Sequence, residues 1–384
     1  MDIAFVSNVV YPYVTGGAQK RIYEIGTRLA DAGHEITIYG RHFWDGPHQI
    51  TEDGLTLRAV APAADLYTDE GRRSIGEAID FATRLMPDLR RRIDDHDLVV
   101  ASVFPYFPVL ASKLSSIGSN TPLVTTWHEV WRDYWDEYLG SLSFGGKLIE
   151  HLTARVPQHP IAVSGVTADR LATIGPSREE IDVVHNGIDV EQIQSATPPE
   201  VSSYTDGGTG YDVLFAGRLI ADKRVDILLD AFDQVASRHD VHLGIIGDGP
   251  EADRLRNQAD TLDHADRVTF LGFLDEYEDV IGHMHAADVF ASPSTREGFG
   301  ITYAEAMAAD CTVIAADHSE SAAAEVIGDA GFLAQPTTES VAATLDKALA
   351  GETPAVSPTV RAQKFDWDQV ADQAENAYRR AIET

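Results

Sequence analysis

The 384-residue chain carries 61 Asp and Glu against 30 Lys and Arg, a formal net charge of −31. Such a surface repels a phosphate backbone, which argues against nucleic acid as a partner. The single cysteine, Cys311, excludes internal disulfides and thiolate metal clusters, and no stretch reaches the roughly 18 apolar residues of a membrane span.

The length suits two α/β domains better than one core. Self-repulsion of this size weakens a compact state in dilute buffer, whereas a Debye length of about 3 Å at 1 M salt screens it. The composition therefore predicts a protein adapted to a salt-rich cytoplasm. "MDIAFVS" at the N-terminus lacks a basic region before its apolar run and reads as the first strand of a cytoplasmic protein.

In chain order, strand-like runs alternate with helical patterns, as parallel sheets covered by helices require. The first half offers "IAFVS", "EITIYG", "LVVAS", "PLVTTW", "PIAVS" and "IDVVHNG". A stretch rich in Pro, Ser, Thr and Gly then interrupts the pattern and sets a linker at 196–210. "YDVLFAG", "VHLGIIG", "RVTFLG", "DVFASPS" and "CTVIAAD" form a second series. The predicted fold is α/β, two Rossmann-like domains facing across a cleft, with residues 1–195 and 211–365 as their extents. Ligands of such sheets bind beyond the carboxyl ends of the strands. The amphipathic segment at 366–384 could join either domain.

Three strand exits carry candidate ligand residues. Gly16 and Gly17 precede a helix with Ile22, Ile25 and Leu29 on one face, so they either admit an anion to the helix N-terminus or only ease a turn. Arg218 and Lys223 follow "VLFAG", and two fixed cations at a strand end suit a diphosphate, with surface salt bridges as the alternative. In "STREGFGITYAEAM", Gly298, Phe299 and Gly300 lie where backbone amides can face phosphate. Glu297 beside them fits neutral sugar hydroxyls better than phosphate. Glu305 matches a Thr-x-x-Glu capping box with Thr302, so it reads equally as a helix cap.

Taken together, "TGGAQK", "TWHEVW", "IAVSGVTADRL", "VVHNGID", "FAGRLIADK", "IIGDGPEADRL", "VTFLGFL" and "EGFGITYAEAMA" resemble, in order, the motifs of glycosyltransferase family 4 over nearly the whole chain. The resemblance implies a GT-B fold whose C-terminal helix, 366–384, crosses back to the N-terminal, acceptor-side domain. It implies retaining, metal-independent transfer of a sugar from a nucleoside diphosphate sugar, with no further cofactor, to a glycolipid, lipid-linked glycan or other hydroxyl acceptor. Residue by residue, it puts Glu297 on the transferred sugar, Glu305 on the ribose, and Arg218 and Lys223 on the diphosphate, with the Gly298–Gly300 amides assisting. Gly16 and Gly17 match the N-terminal glycine loop, and His128 matches a histidine close to the donor sugar. The chain departs from the family at Arg224 and Asp310, where the family usually has Gly, and at Thr312, where it has Pro.

Other signals carry less. "GDGPEA" satisfies G-x-G-x-x-A, yet the next strand lacks the acidic end a nicotinamide site wants. "DDHD", 94–97, reads as a solvated loop, and His283 and His285 are misplaced for joint metal ligation on a helix. Trp131, Trp135 and Tyr138 form a helical stripe that reads as core or as an acceptor platform. Arg84, Arg90, Arg91 and Arg92 are either acid-paired surface residues or a basic patch for peripheral contact with the inner face of a membrane. An inactive GT-B protein that only binds a sugar nucleotide or glycan, and a GT-B sugar-nucleotide epimerase, stand as alternatives.

Overall fold

The computed structural model describes every residue except 15, 67–73, 198–209 and 384. Most of the expected 196–210 linker lies outside the described residues. The chain forms two compact units, Met1–Asn186 with Trp367–Thr384, and Gly187–Asp366. The first unit therefore ends sooner than the loss of hydrophobic pattern suggests. The short helix Val190–Ser195, before the linker, belongs to the second unit, where Ile188 N–H donates to the Phe365 carbonyl at 2.8 Å.

The first unit is built on an eight-stranded sheet. Its strands are β1 (Asp2–Val6), β2 (Glu35–His42), β3 (Gln49–Glu52), β4 (Leu55–Pro62), β5 (Leu98–Ser102), β6 (Leu123–Trp127), β7 (His159–Ala162) and β8 (Asp182–Val183). They lie in the order β3-β4-β2-β1-β5-β6-β7-β8, parallel except for the antiparallel pair β3–β4. That pair is a hairpin whose turn residues, Asp53 and Gly54, both take positive φ, at 49° and 78°. Asp-Gly is the dipeptide such a two-residue turn favours.

The segment 366–384 is settled by its apolar stripe. In the helix Trp367–Glu383, residues Trp367, Val370, Ala374, Ala377, Tyr378 and Ala381 join the first unit's core beside Phe5, Ile22 and Ile25. Burying each large side chain of that stripe contributes roughly 1.5–3 kcal/mol. An ion pair from Arg28 to Asp368 at 2.6 Å and a hydrogen bond between His34 Nε2 and Glu375 Oε1 at 3.0 Å line its rim.

The second unit holds an all-parallel sheet of β9 (Val213–Ala216), β10 (Leu243–Ile246), β11 (Val268–Gly272), β12 (Val289–Ser292), β13 (Thr312–Ala316) and β14 (Gly331–Ala334). Their order is β11-β10-β9-β12-β13-β14. Strands β9, β10 and β12 are buried at every residue, as a sheet covered on both faces requires. Each sheet reverses direction of winding once, between β1 and β5 and between β9 and β12. Ligand crevices in this fold class open beyond the carboxyl ends of strands at such points.

Candidate active site

In the second unit the two strands at the reversal deliver the expected residues. Past β9, Gly217 N–H donates to the Ile246 carbonyl at 3.0 Å and Leu219 N–H to the Asp248 carbonyl at 2.9 Å. A Cβ on Gly247 would collide with the Gly217 carbonyl, and one on Gly249 with the Leu219 carbonyl. The glycines of "GDGPEA" thus let two exit loops pack together and hold the Arg218 backbone between them. Arg218 itself is exposed and makes no ion pair or side-chain hydrogen bond with the described residues.

Lys223 and Glu297 are brought together in an ion pair, 19% and 11% exposed, so water screens it little. The loop around Glu297 is pinned on both sides. Glu297 N–H donates to the Glu320 carbonyl at 3.2 Å, Ala322 N–H donates back to the Glu297 carbonyl at 3.0 Å, and Thr295 N–H reaches the Asp222 carbonyl at 2.9 Å. Arg296 and Asp222 add a further ion pair at 3.4 Å. These bonds tie the exits of β9, β12 and β13 together.

Gly300 is the N-cap of the helix Ile301–Ala308, with φ 81°, and a Cβ there would strike the Tyr303 ring. Both facts demand glycine. Thr302 therefore lies inside the helix, and the Thr302–Glu305 capping box does not form. Glu305, 7% exposed, instead accepts a 2.8 Å hydrogen bond from the Tyr277 hydroxyl. Burial first, and then the Glu305 charge, hold that phenol far above its ordinary pKa.

In the first unit, Gly17 opens the helix Gly17–Asp31 and Gly16 caps it. An added Cβ at Gly17 meets nothing within 4 Å, and Gly16 is in extended backbone, so packing within the chain does not call for glycine at Gly17. One turn on, Arg21 is 4% exposed and donates to the carbonyls of Val184 at 3.0 Å and His185, and to Asn186 Oδ1 at 3.1 Å. Burial pushes its pKa down to about 10, which leaves it charged at neutral pH.

His128 follows β6 and lies 3.1 Å, Nε2 to Oγ, from Ser102 at the end of β5. Burial, and then the Arg21 charge, push its pKa down to about 3. Arg21, Ser102, Thr126, His128 and Tyr378 surround a cavity of about 10 Å³, room for about one water. Arg21, Ser102 and Tyr378 carried no motif of their own. The loop after His128 has a further support absent from the motif reading. Glu150, fully buried, accepts from the amides of Trp131 at 2.8 Å and Arg132 at 2.9 Å and from the Tyr106 hydroxyl at 3.0 Å.

The remaining signals resolve structurally. Trp135 is buried and packs 4.7 Å from Trp131, ring to ring, within the first unit's core, with Trp131 and Tyr138 packed against it. Arg84 pairs with Asp80 at 2.7 Å and Arg91 with Asp88 at 3.4 Å, while Arg90 donates to the Ser115 carbonyl at 3.0 Å. Arg84 and Arg91 stay 51% and 72% exposed beside these partners, and Arg92 lies 4.0 Å from Asp95. His283 is buried and His285 bonds the Ile193 carbonyl at 2.5 Å. Among the described residues, no three His, Cys, Asp or Glu side chains are grouped to hold a metal ion.

Residues 15–192 match the description Glycosyltransferase Family 4, and residues 203–365 match Glycosyl transferases group 1. A phosphatidyl-myo-inositol mannosyltransferase of Mycobacterium tuberculosis is 32% identical over 96% of this chain and 95% of its own length. A glycogen synthase of the same organism is 26% identical over 99% of this chain and 95% of its own. Among solved structures, a sucrose-phosphate synthase from Thermosynechococcus elongatus superimposes with a TM-score of 0.77 at 18% identity, covering 99% of this chain and 98% of that one. The motif order, the two reversed parallel sheets and these matches agree: the chain belongs to glycosyltransferase family 4 and is a glycosyltransferase of the GT-B fold.

Proposed function

We propose that the chain transfers a sugar from a nucleoside diphosphate sugar to a hydroxyl of a glycolipid or lipid-linked glycan, with retention at the anomeric carbon and without a required metal. The observation that carries this reading is the meeting of Lys223, Glu297 and the Gly298–Gly300 turn at the β9/β12 reversal, with Arg218 exposed on the adjoining loop.

Breaking the bond from the anomeric carbon to the diphosphate oxygen leaves the electron pair on the nucleoside diphosphate. Cations brought to that oxygen lower the barrier by stabilising the charge that develops there. Arg218 and Lys223 fill that role. Phosphate competes with Glu297 for Lys223, and Glu297 is then placed to accept from the sugar hydroxyls. Neither glutamate is assigned a nucleophile's position, so attack is read as same-face, the departing phosphate oxygen taking the acceptor's proton. His128 is neutral at working pH and acts as a hydrogen-bonding group, not as an imidazolium acid.

Two observations support a lipid-borne acceptor. The mannosyltransferase relative is named for phosphatidylinositol. The helix Ser143–Arg155 also exposes Phe144, Leu148 and Leu152, a one-faced i, i+4, i+8 stripe at 76%, 48% and 50% exposure, while its one acidic residue, Glu150, is buried. Such a stripe fits the boundary between headgroups and acyl chains. No helix among the described residues is long and apolar enough to cross a membrane. The contact proposed here is peripheral, at the cytoplasmic face.

Transfer of labelled sugar from uridine, guanosine or adenosine diphosphate donors to a lipid extract in molar KCl tests the activity. Label entering the lipid phase supports the reading. Label found only in water-soluble product, or no sedimentation with phospholipid vesicles, would move the acceptor to a soluble glycan.

A further inference from the structure

Glu297 and Glu305 are served by different partners. Lys223 neutralises Glu297, whereas Glu305 receives a neutral phenol from the start of the helix Tyr277–His285, which follows β11. A phenol donates one hydrogen bond to one carboxylate oxygen and brings no countercharge with it. It also fixes the carboxylate before a ligand arrives, which lowers the ordering cost of binding.

We propose that Tyr277 is a positioning residue that orients Glu305 toward the ribose hydroxyls and so sets the preference for ribonucleotide over deoxyribonucleotide donors. The inference rests on Glu305 being the ribose-binding residue. Three observations meet here. The Oη to Oε1 distance is 2.8 Å; Glu305 is 7% exposed, so its carboxylate has little freedom to seek water; and Tyr277 stands at the first residue of the helix that follows the β11 exit loop. Sequence pattern alone does not reveal the pair, because Tyr277 and Glu305 are 28 residues apart and meet only through the fold.

The test measures dissociation constants of uridine, guanosine and adenosine diphosphates and their 2′- and 3′-deoxy forms for the wild type, Tyr277→Phe and Glu305→Gln, in molar KCl. Phenylalanine keeps the half-buried ring and removes the hydroxyl donor. Wild type should favour the ribonucleotide about tenfold, the scale of one hydrogen bond to a charged acceptor. Tyr277→Phe should lower that preference to threefold or less and raise donor KM, with kcat at saturating donor within twofold of wild type. If Glu305→Gln loses the preference while Tyr277→Phe keeps it, the positioning role is overturned and the ribose role of Glu305 stands. If wild type shows no preference, or Glu305→Gln retains it, the ribose assignment itself falls, and the Tyr277 proposal with it. A drop in kcat with KM unchanged would likewise overturn the proposal.

Discussion

The two units commit their charges differently. In the first, Arg21 is spent on the backbone and side chain of residues 184–186, and His128 is held neutral beside it. In the second, Arg218 is exposed on its loop and Lys223 is held by one carboxylate that a phosphate can replace. We read the contrast as scaffold against proposed ligand site. Charges spent on the chain's own carbonyls hold the fold, Arg21 in the first unit and Arg361 in the second, whereas exchangeable charges at the β9/β12 reversal are suited to grip and release a diphosphate.

If that division holds, substitutions should split into those that remove chemistry and those that remove stability. The largest effect belongs to Glu297→Gln, which should lower transfer by about 10²-fold or more, the scale of losing one group that acts on the reacting sugar. Nucleoside diphosphate binding should stay within threefold of wild type, or tighten, because Lys223 loses a competitor. Arg21→Ala in the other unit should instead destabilise folding by about 3 kcal/mol, since the buried Val184 carbonyl and two half-buried acceptors, the His185 carbonyl and Asn186 Oδ1, lose their donor. Chemical denaturation in molar KCl reads that loss. A stable Arg21→Ala protein would blur the contrast.

A smaller effect sharpens the role of His128. Above about pH 6.5 its imidazole is neutral whether the chain is folded or unfolded, and contributes nothing to pH dependence. As pH falls from about 6.5 toward about 3, the unfolded chain binds a proton that the folded chain refuses, so stability is lost. His128→Asn should flatten the acid limb of the stability curve. It should leave the shape of the kcat/KM profile between pH 6.5 and 8 unchanged, and a lost inflection in that range would contradict the neutral reading.

The smallest effects lie at two departures from the family. Arg224 and Asp310 take φ of 49° and 67°, the left-handed region that glycine enters freely. The glycine that the resemblance implies at both positions would enter that region without cost. Arg224→Gly and Asp310→Gly should each change stability by under about 1 kcal/mol, with Asp310→Gly stabilising, because Arg224 also pairs with Asp226 at 3.1 Å. Paired thermal melts check both.

Much of this organisation was legible. The strand runs locate both parallel sheets, and the glycine and charge motifs locate the exits at which the candidate residues stand. The β3–β4 hairpin is legible in "EDGL", an Asp-Gly turn signal that a reading for parallel strands alone does not contain. What was not legible depends on loops meeting. The capping box at Thr302 failed because Gly300, not Thr302, is the position where the chain turns into the helix. The Lys223–Glu297 pair, the Tyr277 hydroxyl on Glu305 and the Glu150 clamp join residues that sequence spacing cannot relate. The unit boundary was missed because Val190–Ser195 is helical on the near side of the linker.

The most direct test of the central claim is calorimetric titration of the wild type and Arg218→Ala with nucleoside diphosphate sugars, in molar KCl with EDTA. The account predicts that one donor binds the wild type despite EDTA and that Arg218→Ala weakens it about tenfold or more, the loss of a charge-assisted phosphate contact. Equal affinity of both proteins for that donor, or binding that EDTA abolishes, would contradict it.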